Sequence, residues 1–226
     1  RERLVRSIPM LPDAQYRYAE QLRVDLATLL LLMLAEEPAQ RPSMKEVALE
    51  LLRLSYKVEY EELIGLARAL PVEQFQAFFS NLFLLFYRHR RADGAGERPP
   101  PELFAWPVIN RIGHSDARRI TVGRDYHNDV VLRDPTVSKR HAHISRNKDG
   151  VWVVADAGSH AGSRMGLEHI HWVREVPLQV GHHITFGGIN LLVVDAARLY
   201  SLLLLRIRNP GDNAAAILRD YQALKS

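Results

Sequence analysis

The hydrophobic period of this 226-residue chain changes near residue 92 and returns to helical spacing from Ala196, and the first change limits what it can fold into. Upstream, apolar residues recur at helical spacing; downstream they alternate. A pattern of period 3.6 does not settle as a strand, nor a pattern of period two as a helix. The chain is therefore read as α+β in separate domains: a helical, bundle-like domain over residues 1–91, a linker over 92–102, an antiparallel β-sandwich over 103–196, and C-terminal helices over 197–226.

Capping chemistry sets the expected helices. Asp13 can open a helix through YRYAEQLRVDLATLLLLMLAEE, which Pro38 and Pro42 end. Ser43 and Glu46 form a capping box ahead of Met44, Val47, Leu51 and Leu54 at helical spacing. EYEELIGLARAL is a further helix, and Pro71 sits at the first turn of PVEQFQAFFSNLFLLFYRHRR, read as one helix with a basic C-terminus. ADGAGERPPP is a linker by composition. Beyond it RITVGR, DVVL, HAHIS, VWVVAD, HITFGG and INLLVVD are short and β-branched, separated by DP, NKDG and GG turns, as in a sandwich or barrel. AARLYSLLLLR returns to helix, and DNAAAILRDYQALK follows with Asp212 or Asn213 as its cap.

The chain has no cysteine, which excludes disulfides and thiolate-based zinc sites and fits a reducing compartment; a cytoplasmic location is expected. Its longest apolar run, Leu26 to Ala35, falls well short of the roughly 20 residues that span a bilayer. The first residue is Arg1, so a processed or truncated piece of a longer protein is expected. A net charge of +4 tolerates an anionic partner, but 26 acidic residues lie among 30 basic ones, and nucleic acid is not the expected partner.

The residues with chemistry lie in the strand region. Gly123-Arg124 ends one strand, and the loop RDPTVSKR carries Ser138. Two loops at one end of a sandwich bring such residues together, and an arginine fork beside a hydroxyl and a backbone N–H receives a phosphate well. Ser138 has His141 three residues on, but no acid is placed to orient that histidine and no oxyanion loop is evident, so no enzyme is expected. His141 and His143, or His169 and His171, would share a strand face, yet no third ligand stands at a recognisable spacing; neither a metal nor a cofactor is expected.

In register, ITVGRDYHNDVVLRDPTVSKRHAHI, DAGSHAGS and PLQVGHHITFGG resemble the forkhead-associated (FHA) family over about residues 104–195. That family carries Gly-Arg, Asn-Asp-hydrophobic, Ser-x-x-His, Asp-Leu-Gly-Ser-x-Asn-Gly-Thr and Pro-Leu-x-x-Gly-Asp-x-Ile-x-x-Gly. The resemblance implies a two-sheet sandwich whose loops bind phosphothreonine in an extended peptide. Arg124 and Ser138 would hold the phosphate, with Lys139 beside it. Ser159, His160 and Ala161 would line the peptide groove, while Gly123, His141 and Gly162 would support the loops. The partner implied is a phosphothreonine-containing protein; the oligomeric state is left open.

Two positions depart from the family. Ala161 stands where its Asn grips the peptide backbone, and a lost hydrogen bond of this kind costs on the order of 1 kcal/mol. The alternative register from Ser163 places Met165 there instead. His182 replaces the family's turn-forming Asp. A degenerate scaffold that binds an unphosphorylated partner is thus the second reading.

LLLLMLAEEPAQRPSMKEVALELL, within residues 29–54, resembles the last helices of a protein kinase domain, with Arg41 as that family's buried structural arginine. The chain supplies no glycine-rich loop, catalytic lysine or catalytic aspartate. The resemblance implies the C-terminal fragment of a kinase or pseudokinase; ordinary capping chemistry would produce the same pattern.

Overall fold

The computed structural model describes residues 16–54, 58–79, 81–88, 102–111, 118–172 and 174–208. The cap at Asp13, the segment after Arg208 and all of the expected linker except Glu102 lie outside them. Five helices and twelve strands follow in order: α1 Tyr16–Met33, α2 Met44–Leu54, β1 Val58–Glu59, α3 Tyr60–Ala69, α4 Val72–Phe78, β2 Leu82–Arg88, β3 Glu102–Val108, β4 Arg119–Gly123, β5 Val130–Val131, β6 Ala142–Arg146, β7 Trp152–Asp156, β8 Ser163–Met165, β9 Glu168–Ile170, β10 Val176–Pro177, β11 His183–Phe186, β12 Ile189–Val194 and α5 Ala196–Arg208. No described helix is long and apolar enough to cross a membrane.

The strands form a seven-stranded sheet, β1-β3-β2-β12-β11-β8-β9, facing a five-stranded one, β10-β7-β6-β4-β5. All pairs are antiparallel except β4 with β5, which run parallel through Val122↔Val130 and Gly123↔Val131. Alternate residues fill the space between the sheets: Ile120 and Val122 from β4, Ile144 from β6, Val154 from β7, Ile184 and Phe186 from β11. This is the expected sandwich, and its core is what alternation at period two produces.

The stretch from Pro71 to Arg91 is not one helix, which corrects that expectation. Among the described residues it is helical only over Val72–Phe78 and then becomes β2, paired with β12 on one side and β3 on the other. Leu82 and Leu84 enter the inter-sheet core, while Phe83 and Leu85 enter a second core on the sheet's outer face. A strand buried on both faces is a continuous apolar run, which periodicity cannot tell from a buried helix. The expected domain division at residue 92 therefore falls between two strands paired from Leu82↔Val108 to Arg88↔Glu102.

The second core explains why helices surround the sandwich. Leu63, Ile64 and Ala67 of α3, Phe75 of α4, and Leu199, Leu202 and Leu203 of α5 cover Phe83, Leu85, Leu192 and Val194. The rings of Phe75, Phe79 and Phe83 step from α4 into β2 with centroids 4.7 and 5.3 Å apart, and Tyr200 of α5 joins Phe75 at 5.1 Å. Offset and edge contacts at these separations suit aromatic quadrupoles.

Helix α2 starts in the expected capping box: the Ser43 N–H donates to Glu46 Oε2 at 2.7 Å, and the Glu46 N–H donates to Ser43 Oγ at 3.2 Å. Arg41 is exposed, its Nε donating to the Ala35 carbonyl at 2.8 Å. The kinase resemblance implied a buried arginine; instead the Arg-Pro-Ser-Met-Lys-Glu run does the local work of ending one helix and opening the next. Asp25 of α1 forms an ion pair with Arg111, both largely buried.

Two truncations test the two-faced strand. Phe83→Ala and Leu84→Ala should each lower unfolding stability by about 3 kcal/mol in urea titrations, because each empties a separate core. A one-faced element would leave one of the two substitutions nearly silent.

Candidate functional site

Three loops meet at one end of the sandwich: residues 124–129 after β4, 132–141 before β6, and 157–162 between β7 and β8. Each is held by polar side chains rather than by sheet pairing.

The first loop begins where β4 ends. At Gly123 any Cβ would lie 2.3 Å from the Lys139 carbonyl oxygen and 2.7 Å from Asn128 Nδ2, so only glycine allows the loops to approach. Asn128 is buried and its Nδ2 donates to the carbonyls of Asp125 and Lys139, both at 2.7 Å. Buried Asp129 accepts from the Thr121 N–H at 2.7 Å, the Thr121 hydroxyl at 2.8 Å and the Arg111 N–H at 2.9 Å. Asn128 and Asp129 thus tie the first loop to the second and to β4. At the loop's surface the Asp125 carboxyl lies below its ordinary value: burial pushes it up, but bonds from the His127 N–H and ring, with the charges of His127 and Lys139, outweigh that.

The second loop is wound on Asp134, which accepts the Thr136 N–H at 2.8 Å and the Thr136 hydroxyl. Thr136 Oγ1 in turn accepts the Gly188 N–H at 2.7 Å, docking the loop on the β11–β12 turn. The backbone of Ser138 is bonded at both ends: its carbonyl accepts the Arg124 N–H at 2.9 Å, and its N–H donates to Nδ1 of His141 at 3.0 Å.

His141 is fully buried, packed edge-on against Phe186. Since Nδ1 accepts from Ser138, the ring proton sits on Nε2, which donates to the Gly162 carbonyl at 3.1 Å. The imidazole therefore joins the second loop to the third. Burial pushes its pKa below the ordinary value, against the raising effects of the Gly162 carbonyl and the Asp156 charge.

The third loop hangs from Asp156. Its Oδ1 accepts the N–H groups of Gly158 and Ser159 at 2.8 and 2.7 Å, and its Oδ2 accepts the hydroxyls of Ser159 and Ser163 at 2.6 and 2.5 Å. Burial alone would raise this carboxyl, but the four bonds outweigh it and hold it below its ordinary value. The loop closes on the second through the His160 N–H, which donates to Ser138 Oγ at 3.0 Å.

Arg124, Ser138, Lys139, Ser159 and His160 are thus gathered at one end by direct bonds between their loops. Arg124 is exposed; its Nε donates to the Val137 carbonyl at 2.9 Å, which fixes the fork. Among the described residues, neither its terminal Nη groups nor the Lys139 N–H has a hydrogen-bond partner. Ser138 Oγ uses a lone pair for His160, and its own proton has no acceptor there. Lys139, Arg140 and His160 are exposed around this point, and Ala161 presents only a methyl group beside them.

His141 faces the Ser138 backbone N–H rather than the hydroxyl, so it is not placed to take a proton from Ser138 Oγ. No group of three or more His, Asp or Glu residues among those described could hold a metal ion. The arrangement offers a guanidinium fork, a hydroxyl and an amide to an anion. The positioning residues Asn128, Asp129, Asp134, Thr136 and Asp156 had no role from sequence reasoning. Only Asp134 and the Asp156 bonds to Gly158 and Ser159 leave a local signal, an Asx residue accepting backbone N–H groups two or three positions on; the Lys139 partner of Asn128 and the Thr121 partner of Asp129 lie farther off along the chain.

Two measurements test this scaffold. Gly123→Ala should cost about 1–3 kcal/mol of stability in denaturant unfolding, the range for forced overpacking. Because the His141 pKa is depressed in the fold, its stabilising contribution is complete above the ordinary imidazole value of about 6.5 and is lost as pH falls through the lower folded value. Unfolding free energy should decline from pH 7.5 to 5, and His141→Gln should flatten that slope; Asp156 contributes only in a lower window, below about pH 4.

A family model described as the FHA domain matches residues 120–187. The Protein phosphatase 1 regulatory inhibitor subunit PPP1R8 homolog of Arabidopsis thaliana is 34% identical over 98 residues, 42% of this chain and 26% of that protein. An oxoglutarate dehydrogenase inhibitor of Corynebacterium diphtheriae is 32% identical over 105 residues, 44% of this chain and 71% of that protein. The chain thus spans about a quarter of the plant relative's length. Among solved structures, the FHA domain of the CT664 protein from Chlamydia trachomatis is 23% identical, with 50% of this chain and 97% of that chain covered and a TM-score of 0.36. The FHA domain of an Arabidopsis thaliana hypothetical protein is 22% identical, with 51% and 86% covered and a TM-score of 0.37. These findings do not support the kinase resemblance of residues 29–54. The matched segment carries the loops built on Arg124, Ser138 and His141, and the chain belongs to the FHA-domain family.

Proposed function

We propose that the chain recognises phosphothreonine in an extended peptide and serves signalling or protein assembly as a binding module. One observation carries this reading. The Arg124 fork is fixed by its Nε bond to Val137, and Ser138 is fixed by His141 and His160, yet the Arg124 Nη groups and the Ser138 hydroxyl proton remain unused among the described residues. Donors held in place before the ligand arrives lose little entropy on binding. A phosphate dianion matches them: it takes bidentate bonds from guanidinium, one from the hydroxyl and one from the Lys139 amide. Lys139 and Arg140 add positive charge at the same place.

Ala161 favours a second reading, in which the domain binds an unphosphorylated partner. An exposed methyl group there neither donates to nor accepts from a peptide backbone.

Calorimetric titration with a phosphothreonine peptide library separates the two. Binding should vanish on phosphatase treatment of the peptide. Arg124→Ala should weaken it about 100-fold, as loss of two charge-assisted bonds implies, and Ser138→Ala about 10-fold. Affinity indifferent to phosphatase and to Arg124→Ala would establish the second reading instead.

A further inference from the structure

The turn after β9 carries a group that the phosphate receptor does not use. Strands β8 and β9 form the edge hairpin of the seven-stranded sheet, with Ser163 opposite Ile170. β8 starts directly after the 157–162 loop, so the chain leaving β9 emerges beside Gly162 and Ala161. There it turns, the Arg174 N–H donating to the His171 carbonyl at 3.0 Å. Trp172, inside that turn, is 71% exposed. The other two tryptophans are employed: Trp106 is buried between the sheets, and Trp152 lies under the Arg146 guanidinium at 4.3 Å.

An indole left in water forfeits the burial of about 150–250 Å² of surface. Turns ordinarily use small or polar residues that wind the backbone, and the bond from Arg174 to His171 asks for no aromatic side chain. Tryptophan is among the residue types enriched in binding hot spots once a partner covers them. Meanwhile Ala161, on the adjoining loop, supplies no side-chain amide to hold a peptide.

We propose that Trp172 is the peptide-holding group of this site, covering an aliphatic or aromatic side chain that flanks the phosphothreonine. This rests on the reading of Arg124 and Ser138 as the phosphate receptor. A cationic occupant is disfavoured, because Lys139, Arg140, His160, His171 and Arg174 are all exposed, with Glu175 the single exposed acid in that turn, and the negative face of the indole disfavours an anion on it, which leaves an apolar side chain. The indole thus stands in for the missing amide: affinity drawn from hydrogen bonds to the peptide backbone is replaced by affinity drawn from a side chain, which makes the site selective.

The test uses the whole chain and two sets of phosphothreonine peptides, one with Leu or Phe at each flanking position in turn, the other with Ser. The wild-type chain should prefer an apolar-flanked peptide about tenfold, with a blue shift of tryptophan emission. Trp172→Ala should remove the preference and the shift while leaving Ser-flanked binding within about twofold, and Trp172→Phe should restore most of the preference. If wild type binds both sets alike, or Trp172→Ala weakens both equally, the assignment of Trp172 is overturned while the phosphate receptor stands. If no phosphothreonine peptide binds and Arg124→Ala changes nothing, both fall together.

Discussion

The loop end of this domain depends on one buried imidazole. His141 holds the second loop through the Ser138 N–H and the third through the Gly162 carbonyl, with no exposure to solvent. A buried polar ring is tolerated only when its donor and acceptor are both satisfied, and here each satisfies a different loop. Protonation would put a hydrogen on Nδ1 facing the Ser138 N–H, so the brace works only as the neutral ring. The same logic repeats around it. Asn128 joins two carbonyls, and Asp156 gathers four donors. Their buried polar groups hold the loops in one arrangement, in which the Nη groups of the exposed Arg124 and the Ser138 hydroxyl proton have no partner among the described residues.

The same end is tied to the rest of the chain. Asp129, which fixes β4 through Thr121, also accepts the Arg111 N–H, and the Arg111 side chain is paired with Asp25 of α1. A line of largely buried polar contacts therefore runs from the first described helix to the floor of the site. Breaking a buried ion pair by removing one partner is costly, so α1 is held in place relative to the loops. Through β2 and β12 the helices α3, α4 and α5 share the sandwich's own sheet rather than standing apart from it. Helices and sandwich form one packed body along that face.

How much of this was legible in the sequence follows from the physics of each part. Strands with one buried face alternate, and β4, β6 and β11 were readable on that ground; β7 and β12, buried throughout Val153–Asp156 and Leu191–Val194, were readable from β-branched residues bounded by turn signals. So was the Gly-Arg and Ser-x-x-His pairing, because glycine at a crowded crossing and histidine behind a loop leave local marks. β2 was not readable: with Phe83 and Leu85 against helices and Leu82 and Leu84 against the other sheet, it has no polar face. Arg41 misled because a helix stop followed by a capping box looks alike in unrelated folds. The roles of Asn128, Asp129 and Asp156 emerged only once strands distant in sequence were side by side. Ala161 reads as a loss in the sequence, but the residue proposed to offset it, Trp172, lies on another strand's exit and shares no motif with it.

The central claim is that a rigid receptor at Arg124 and Ser138 takes the phosphate of a phosphothreonine. Amide and guanidinium ¹⁵N NMR of the whole chain, titrated with a phosphothreonine peptide and with its unphosphorylated twin, tests it most directly. The account predicts that only the phosphorylated peptide moves the Arg124 side-chain resonance and the Lys139 amide, in saturable fashion, while amides deep in the sandwich stay fixed. Equal shifts with both peptides, or shifts confined to surfaces away from these loops, would contradict it.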